Sequence, residues 1–372
     1  MTKTAAELLN GIRGWVEIES HTPDLEGLAR LADRVTQEYE AFGAEVERVT
    51  GRDGYGDHLV VRAPWARREN VPGILILSHI DTVHPRGTIR KMPFRLEGDV
   101  AYGPGIYDMK GGAYIAMDAV AAVAANGGAP LPVTHLFVSD EEVGSPTSRD
   151  LIESLARGAR YVLVTEPARE GGRIVTARKG TMRYTVRTFG RPSHSGTRHQ
   201  DGRSAIAEIA RIALKFHALT DYDRGITCNV GEIGGGTGVN VVPAEAWAAI
   251  DVRVPDAAAT AEIEAFVASL EPEEPEVTIE VEGGLNRPAY EASAGGTALF
   301  EHARKRAAEL GFELEGLKTG GGSDGNFTAT LAPTLDGLGV DGQGAHTLHE
   351  QLYVSSLEPR RDLLRRLIET LE

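Results

Sequence analysis

The chain has 372 residues, 41% hydrophobic and 25% charged, with a formal net charge of −15, the make-up of an ordinary soluble globular protein long enough for two cores. The acidic balance argues against non-specific nucleic-acid binding, which needs a basic face, and the single Cys228 rules out an intramolecular disulfide or a multi-cysteine metal site. No uninterrupted apolar run reaches roughly 18 residues and residues 1–15 lack the basic-then-apolar order of a leader, so a cytoplasmic protein without membrane contact is expected.

In chain order, apolar residues recur at helical spacing over 5–18 and 25–42. Short apolar runs at 58–61 and 73–78 read as strands, the second ending at His79. Residues 109–126 are Ala-rich and apolar almost all round, which predicts a helix packed inside the protein. Two more buried strands, 133–139 and 160–165, run into Asp140-Glu141-Glu142 and Glu166. The alternation predicts an open α/β sheet, where ligands collect outside the carboxyl ends of the strands.

Near Ala177 the pattern changes. Residues 181–189 alternate as a half-buried strand, with Met182, Tyr184 and Val186 on one face. A helix (204–219), strands (227–233 and 246–254), a helix (258–270) and a strand (277–281) follow. That β-α-β-β-α-β order is the ferredoxin-like split arrangement. A compact inserted α+β domain over 177–287 is therefore expected, with the acidic stretch 271–275 as a solvated connector. Residues 1–176 and 288–372 form the other domain, which adds a helix at 294–310 and a Gly-rich loop at 320–325.

The chemistry is carried by His79, Asp81, Asp108, Glu141, Glu142, Glu166 and His346. Imidazole and carboxylate without thiolate suit zinc, manganese or cobalt. There are more carboxylates than one ion needs, which points to two divalent ions sharing a bridge. Taken singly, Asp81 is a strand-end cap, Glu166 a turn residue before Pro167, and Glu141-Glu142 a solvated acidic pair. The ordered set reverses those readings.

Several segments carry a resemblance: Ser78-His79-Ile80-Asp81, Tyr102-Gly103-Pro104-Gly105-Ile106-Tyr107-Asp108-Met109-Lys110-Gly111-Gly112, Asp140-Glu141-Glu142, Glu166-Pro167, Ser193-His194-Ser195-Gly196, Asn240-Val241-Val242-Pro243, Asp251-Val252-Arg253, Gly320-Gly321-Gly322-Ser323-Asp324 and Gly344-Ala345-His346. Together they resemble the co-catalytic zinc peptidase family of glutamate carboxypeptidase, acetylornithine deacetylase and succinyl-diaminopimelate desuccinylase. The glutamate carboxypeptidase branch is the most similar, through segments such as Asn286-Arg287-Pro288-Ala289-Tyr290. Met109 departs from that branch, standing where it carries an acidic residue.

The resemblance implies an α/β, mixed-sheet zinc-peptidase catalytic domain with an inserted ferredoxin-like dimerisation domain. It implies that Asp108 bridges two metal ions, with His79 and Glu166 on one and Glu142 and His346 on the other. His349 competes with His346, which is preferred for its place after Gly344-Ala345. Asp81 is expected to hold the other nitrogen of His79, and Glu141, whose side chain on an extended segment points away from that of Glu142, to act as general base on a bridging water. A cis peptide at Asp108-Met109 is also implied.

On the substrate side, Arg253 is expected to pair with a carboxylate; the alternative is a salt bridge to Asp251 or Asp256. Asn240 would contact the polar end of the substrate, or be a turn residue. His194 would steady an oxyanion in the site of a partner subunit, or be an idle loop histidine. Gly321 belongs to a loop expected to wall the substrate carboxylate. The reading is a dizinc amidohydrolase releasing a C-terminal amino acid such as glutamate from a peptide or N-acyl amino acid, as a homodimer. Its rivals are an N-acyl-amino-acid deacylase, an aryl-amine aminohydrolase, and a metal-bound scaffold that has lost catalysis.

Overall fold

A computed structural model describes residues 2–65 and 71–372. The chain divides into two compact units: Met1–Ala177 with Glu291–Thr319 and Ser323–Glu372, and Arg178–Tyr290 with Gly320–Gly322.

In the first unit, a six-stranded sheet runs in the order Glu45–Val49, His58–Arg62, Val133–Val138, Gly73–His79, Ala159–Val164, Thr334–Leu335. Gly73–His79 pairs in parallel with a strand on each side, whereas the first two strands run antiparallel. The central strands are apolar almost throughout because both faces are covered. Ile74, Ile76, Val133 and Phe137 pack into one core with the helices Ala5–Val16, Leu25–Glu40, Gly111–Ala125 and Leu357–Thr370. Leu75, Leu77, Leu136 and Val138 face the other side, against Ile152, Ala156 and Phe327.

Local signals fix the ends of the helices. Thr4 and Glu7 form a reciprocal capping box at the first helix, and Asp24 caps the second. The predicted helix over 109–126 begins two residues later, at Gly111, after a wide turn spanning Ile106–Lys110. The last helix, Leu357–Thr370, buries Leu363, Leu364, Leu367 and Ile368. Its buried Arg361 donates to Asp118 Oδ2 at 2.6 Å, and Lys3 lies 2.9 Å from Asp118 Oδ1.

The second unit is a four-stranded antiparallel sheet in the order Thr227–Gly235, Glu245–Val254, Gly180–Phe189, Thr278–Arg287. Helices Ala205–His217 and Ala257–Ala268 pack on one face, over Met182, Tyr184, Val186, Ile250 and Val252. The last strand runs to Arg287, six residues beyond the predicted end at Val281. The acidic connector is tied down as well as solvated: the buried Glu208 accepts the N–H groups of Glu273 and Glu274 at 3.1 and 3.0 Å. Among the described residues, no helix is long and apolar enough to cross a membrane.

Helix Gly111–Ala125 approaches the sheet so closely at Gly112 that a Cβ there would lie 2.1 Å from the Thr165 carbonyl oxygen and 3.0 Å from Gly339 Cα. Both are backbone atoms and cannot swing aside. Gly112→Ala is expected to cost roughly 1–3 kcal/mol by overpacking, seen as a lower urea midpoint by tryptophan fluorescence. An unchanged midpoint would mean that the helix can lift from the sheet.

Candidate metal centre

Three adjacent parallel strands end on the same edge of the sheet of the first unit. Gly73–His79 carries His79 as its last residue, Val133–Val138 leads into Glu141 and Glu142, and Ala159–Val164 into Glu166. The remaining donors come on loops. Asp108 lies in the turn entering helix Gly111–Ala125, and its peptide bond to Met109 is cis. His346 lies between the short strands Gly342–Gln343 and Gln351–Tyr353, after Gly344 at φ +81°, a left-handed conformation that suits glycine.

Asp108 stands between the two imidazoles. Its Oδ1 is 3.3 Å from His79 Nε2, and its Oδ2 is 3.4 Å from His346 Nε2. Glu166 Oε1 lies 3.8 Å from His79 Nε2, and Glu142 Oε2 3.1 Å from His346 Nε2. Donor atoms of His79, Asp108 and Glu142 fall within 4.8 Å of one another, as do those of His79, Glu141 and Glu166. The structure thus brings together His79, Asp108, Glu141, Glu142, Glu166 and His346. Of the two histidines weighed, His346 lies at these carboxylates; both are exposed, and the main-chain N–H of His349 donates to Thr347 Oγ1 at 3.1 Å.

The donor set fits divalent cations. Among the described residues, Glu142 Oε1 is buried without a hydrogen-bond partner, a costly state that a cation would relieve. Burial comes first among the causes that raise the Glu142 carboxyl to about 7, although His346 opposes it. Burial would also raise Asp108, but hydrogen bonds from His346 and His79 outweigh it and hold this carboxyl far below the ordinary range. The same bonds, from Asp108 and then Glu142, push His346 up to about 11. Burial opposes the charge on His79, yet Asp108 and Asp81 raise its pKa well above the usual imidazole value. For Asp108, His346 and His79 a positive charge is drawn between carboxylates, whereas for Glu142 burial disfavours the bare carboxylate.

Asp81 meets the other nitrogen of His79 chiefly through its main chain. His79 Nδ1 lies 2.9 Å from the main-chain carbonyl of Asp81 and 3.5 Å from its carboxylate. A carbonyl can only accept, so Nδ1 carries a proton, while Nε2 donates toward the carboxylates of Asp108 and Glu166 when the ring is charged and would offer its lone pair to a cation between them. The Asp81 carboxylate, fully buried, instead accepts from Thr22 Oγ1 at 2.8 Å and from the N–H groups of Glu141 and Glu142 at 3.2 Å. It holds the segment bearing those two glutamates. That segment is a single 3₁₀ turn, Glu141–Val143, rather than extended chain, and its two glutamates contribute to different donor groups.

Sequence reasoning missed two further supports. Asp140 accepts from the N–H and hydroxyl of Thr147, both at 2.7 Å, and from Ser148, closing the loop behind Glu141 and Glu142. Glu350, fully buried, accepts from the N–H groups that lead up to Asp108. A lone Asp or Glu in sequence carries no sign of such a role. Met109, the departure noted above, places its sulfur 3.2 Å from the His79 N–H.

His194, Asn240, Arg253 and Gly321 belong to the second unit. Loops around His194 and Val241 are bridged, and the Asn240 carbonyl accepts the Ser195 N–H at 3.0 Å. His194 is exposed, and its Nδ1 accepts from the N–H groups of Gly196 and Thr197 at 3.1 and 3.3 Å. The neutral ring therefore carries its proton on Nε2. Arg253 makes the salt bridge considered as its alternative: Nε and Nη2 donate to Asp251 at 2.6 and 3.0 Å, and Nη1 to Thr181 at 3.0 Å. The Gly321 carbonyl accepts from the buried Arg178 at 3.1 Å.

The model of peptidase family M20/M25/M40 matches residues 75–370. Carboxypeptidase G2 of Pseudomonas sp. (strain RS-16) is 32% identical over 359 residues, covering 93% of this chain and 84% of that protein. Succinyl-diaminopimelate desuccinylase of Bordetella petrii is 31% identical, covering 82% and 85%. In fold, a tripeptidase from Staphylococcus aureus superposes with a TM-score of 0.79 at 21% identity, covering 99% of each chain. An M20 family metallo-carboxypeptidase from Sulfolobus solfataricus superposes with a TM-score of 0.75 at 17% identity, covering 97% and 98%. Every donor from His79 to His346 falls inside the matched span, and the chain belongs to peptidase family M20/M25/M40 as a metal-dependent peptidase or amidohydrolase.

Proposed function

We propose that the protein is a two-zinc hydrolase that cleaves an amide bond beside a free carboxylate, releasing a C-terminal amino acid such as glutamate. The observation that carries the two-ion part is Asp108, whose two carboxylate oxygens face different imidazoles. His79 and Glu166 would complete one site, and Glu142 and His346 the other. The substrate part is supported by the 32% identity to carboxypeptidase G2 over 93% of this chain.

Bound, the ions supply a Lewis acid for the scissile carbonyl and a lower pKa for water. Glu141 takes the proton from the attacking water and returns it to the leaving amine nitrogen. His79 keeps its ligating nitrogen free because the Asp81 carbonyl holds the other one. In the second unit, Asp251 and Thr181 hold Arg253 through Nε, Nη2 and Nη1, and the further N–H group on each Nη is the one offered to the substrate carboxylate, with Asn240 and Gly321 at the polar end of the substrate. His194 donates from Nε2 to the oxyanion. An N-acyl-amino-acid deacylase is the second reading, supported by the desuccinylase relative and by Met109 in place of an acidic residue.

A homodimer through the second unit is part of the proposal. Thr227–Gly235 is an edge strand with Ile233 exposed, and Ile206 and Leu214 are exposed on the helix that follows Gly180–Phe189. Light scattering is expected to give twice the chain mass. A fully active monomer would remove the role of His194 in a partner's site.

The direct test is amino-acid release from N-acylglutamates, N-benzoylglutamate among them, by zinc-loaded and chelator-stripped protein. Release that disappears on stripping and returns with zinc is expected. Two bound ions without release would keep the hydrolase and turn the search to acetylated, succinylated or aryl-amine substrates. Glu141→Gln is expected to lower kcat by about 10²–10⁴-fold, the usual contribution of a general base, with metal content retained. Unchanged turnover would remove Glu141 from the reaction.

A further inference from the structure

Glu350 is fully buried four residues after His346, and its carboxylate has no exposed face. Oε1 accepts the N–H groups of Tyr107 and Asp108, both at 2.9 Å. Oε2 accepts the Gly105 N–H at 3.0 Å and His84 Nε2 at 2.6 Å. Such an anion, satisfied by this many donors, forms strong, directional bonds in the interior. The main chain reinforces the contact: Gln351–Tyr353 pairs antiparallel with Val100–Tyr102, the strand that leads into the Asp108 turn.

Asp108 and His346 are the two donors not delivered by the ends of the parallel strands. Their loops are joined side chain to main chain at Glu350. We infer that Glu350 is a positioning residue that sets the span between Asp108 and His346, and so governs uptake of the ion held by Asp108, Glu142 and His346. The inference rests on the two-ion reading above. His79 and Glu166 are carried by neighbouring strands hydrogen-bonded to each other, so the ion they hold with Asp108 depends less on this clasp.

The variant Glu350→Gln keeps the volume but turns an NH₂ group toward N–H donors, which removes acceptors from the Asp108 turn. Wild type and variant are titrated with zinc by equilibrium dialysis, and the visible spectrum of each is followed on cobalt substitution. The expected result is one ion retained tightly by the variant and the second weakened about 10–100-fold, the size of effect seen when groups supporting metal ligands are removed. The second cobalt band should weaken in parallel, and kcat should recover at excess zinc with KM unchanged. Two ions held as tightly as in wild type would overturn the inference, as would equal weakening of both ions.

If circular dichroism shows that Glu350→Gln does not fold, His84→Asn removes a single bond to the same carboxylate. A several-fold weakening confined to the second ion is then expected, and unchanged affinity overturns the inference. A wild-type chain that takes up fewer than two ions would instead overturn the two-ion reading on which it rests.

Discussion

Repulsion among carboxylates is the constraint around which the first unit is built. Asp108, Glu141, Glu142 and Glu166 converge with two imidazoles at one edge of the sheet, and Asp108 and Glu166 are buried. Two like unit charges 4 Å apart repel by about 4 kcal/mol at an effective dielectric near 20. Side chains free to move would separate. Here the rigid sheet and the anchored loops forbid it, so the cluster keeps a standing demand for positive charge. The raised imidazole pKa values are one answer to that demand, and divalent cations are the stronger one. Affinity for metal is in this sense stored in the scaffold.

The sheet makes this arrangement possible. Parallel neighbours present their carboxyl ends on one side, and the order Val133–Val138, Gly73–His79, Ala159–Val164 sets three donor-bearing ends next to one another. Covering both faces with helices keeps the strands apolar and straight up to the point where the polar residues begin. The close approach at Gly112 has the same origin, since the helix that follows Asp108 must pack near Thr165, the neighbour of Glu166.

Much of this was legible in the sequence. The apolar runs that end at His79, before Glu141 and at Glu166 declared themselves as buried strands, because such strands are apolar at most positions, Ser78, Thr134 and His135 being exceptions. The alternation of Met182, Tyr184 and Val186 declared a half-buried one. Other features were not legible. Strand Glu45–Val49 is a charged edge strand with no buried residue, so it lacks the hydrophobic pattern on which strand recognition depends. Helix Leu357–Thr370 carries its signal in the pairs Leu363-Leu364 and Leu367-Ile368 at helical spacing, beyond the last of the functional motifs. For Arg253 the sequence offers both a salt bridge and a substrate contact, and it takes distances to show that the salt bridge is made. A residue two positions away on a strand lies on the same face, and that is where Asp251 meets it.

The acidic residues of this unit show most clearly what sequence cannot separate. Asp81, Asp140 and Glu350 are as buried as Asp108 and Glu166, and as letters in a sequence they are equivalent. Their hydrogen bonds divide them. Asp81 accepts from the Glu141 and Glu142 main chain, Asp140 from that of Thr147 and Ser148, and Glu350 from that of Gly105, Tyr107 and Asp108. A carboxylate filled with N–H donors has its charge compensated locally and its lone pairs occupied, so it can clamp a loop but has little left for a cation. Asp108 and Glu142 face imidazoles instead, and Glu142 keeps one buried oxygen without a partner among the described residues. Clamps and proposed metal ligands are thus the same chemical group in two states of satisfaction. The filled carboxylates hold in place the turns that carry the unfilled ones.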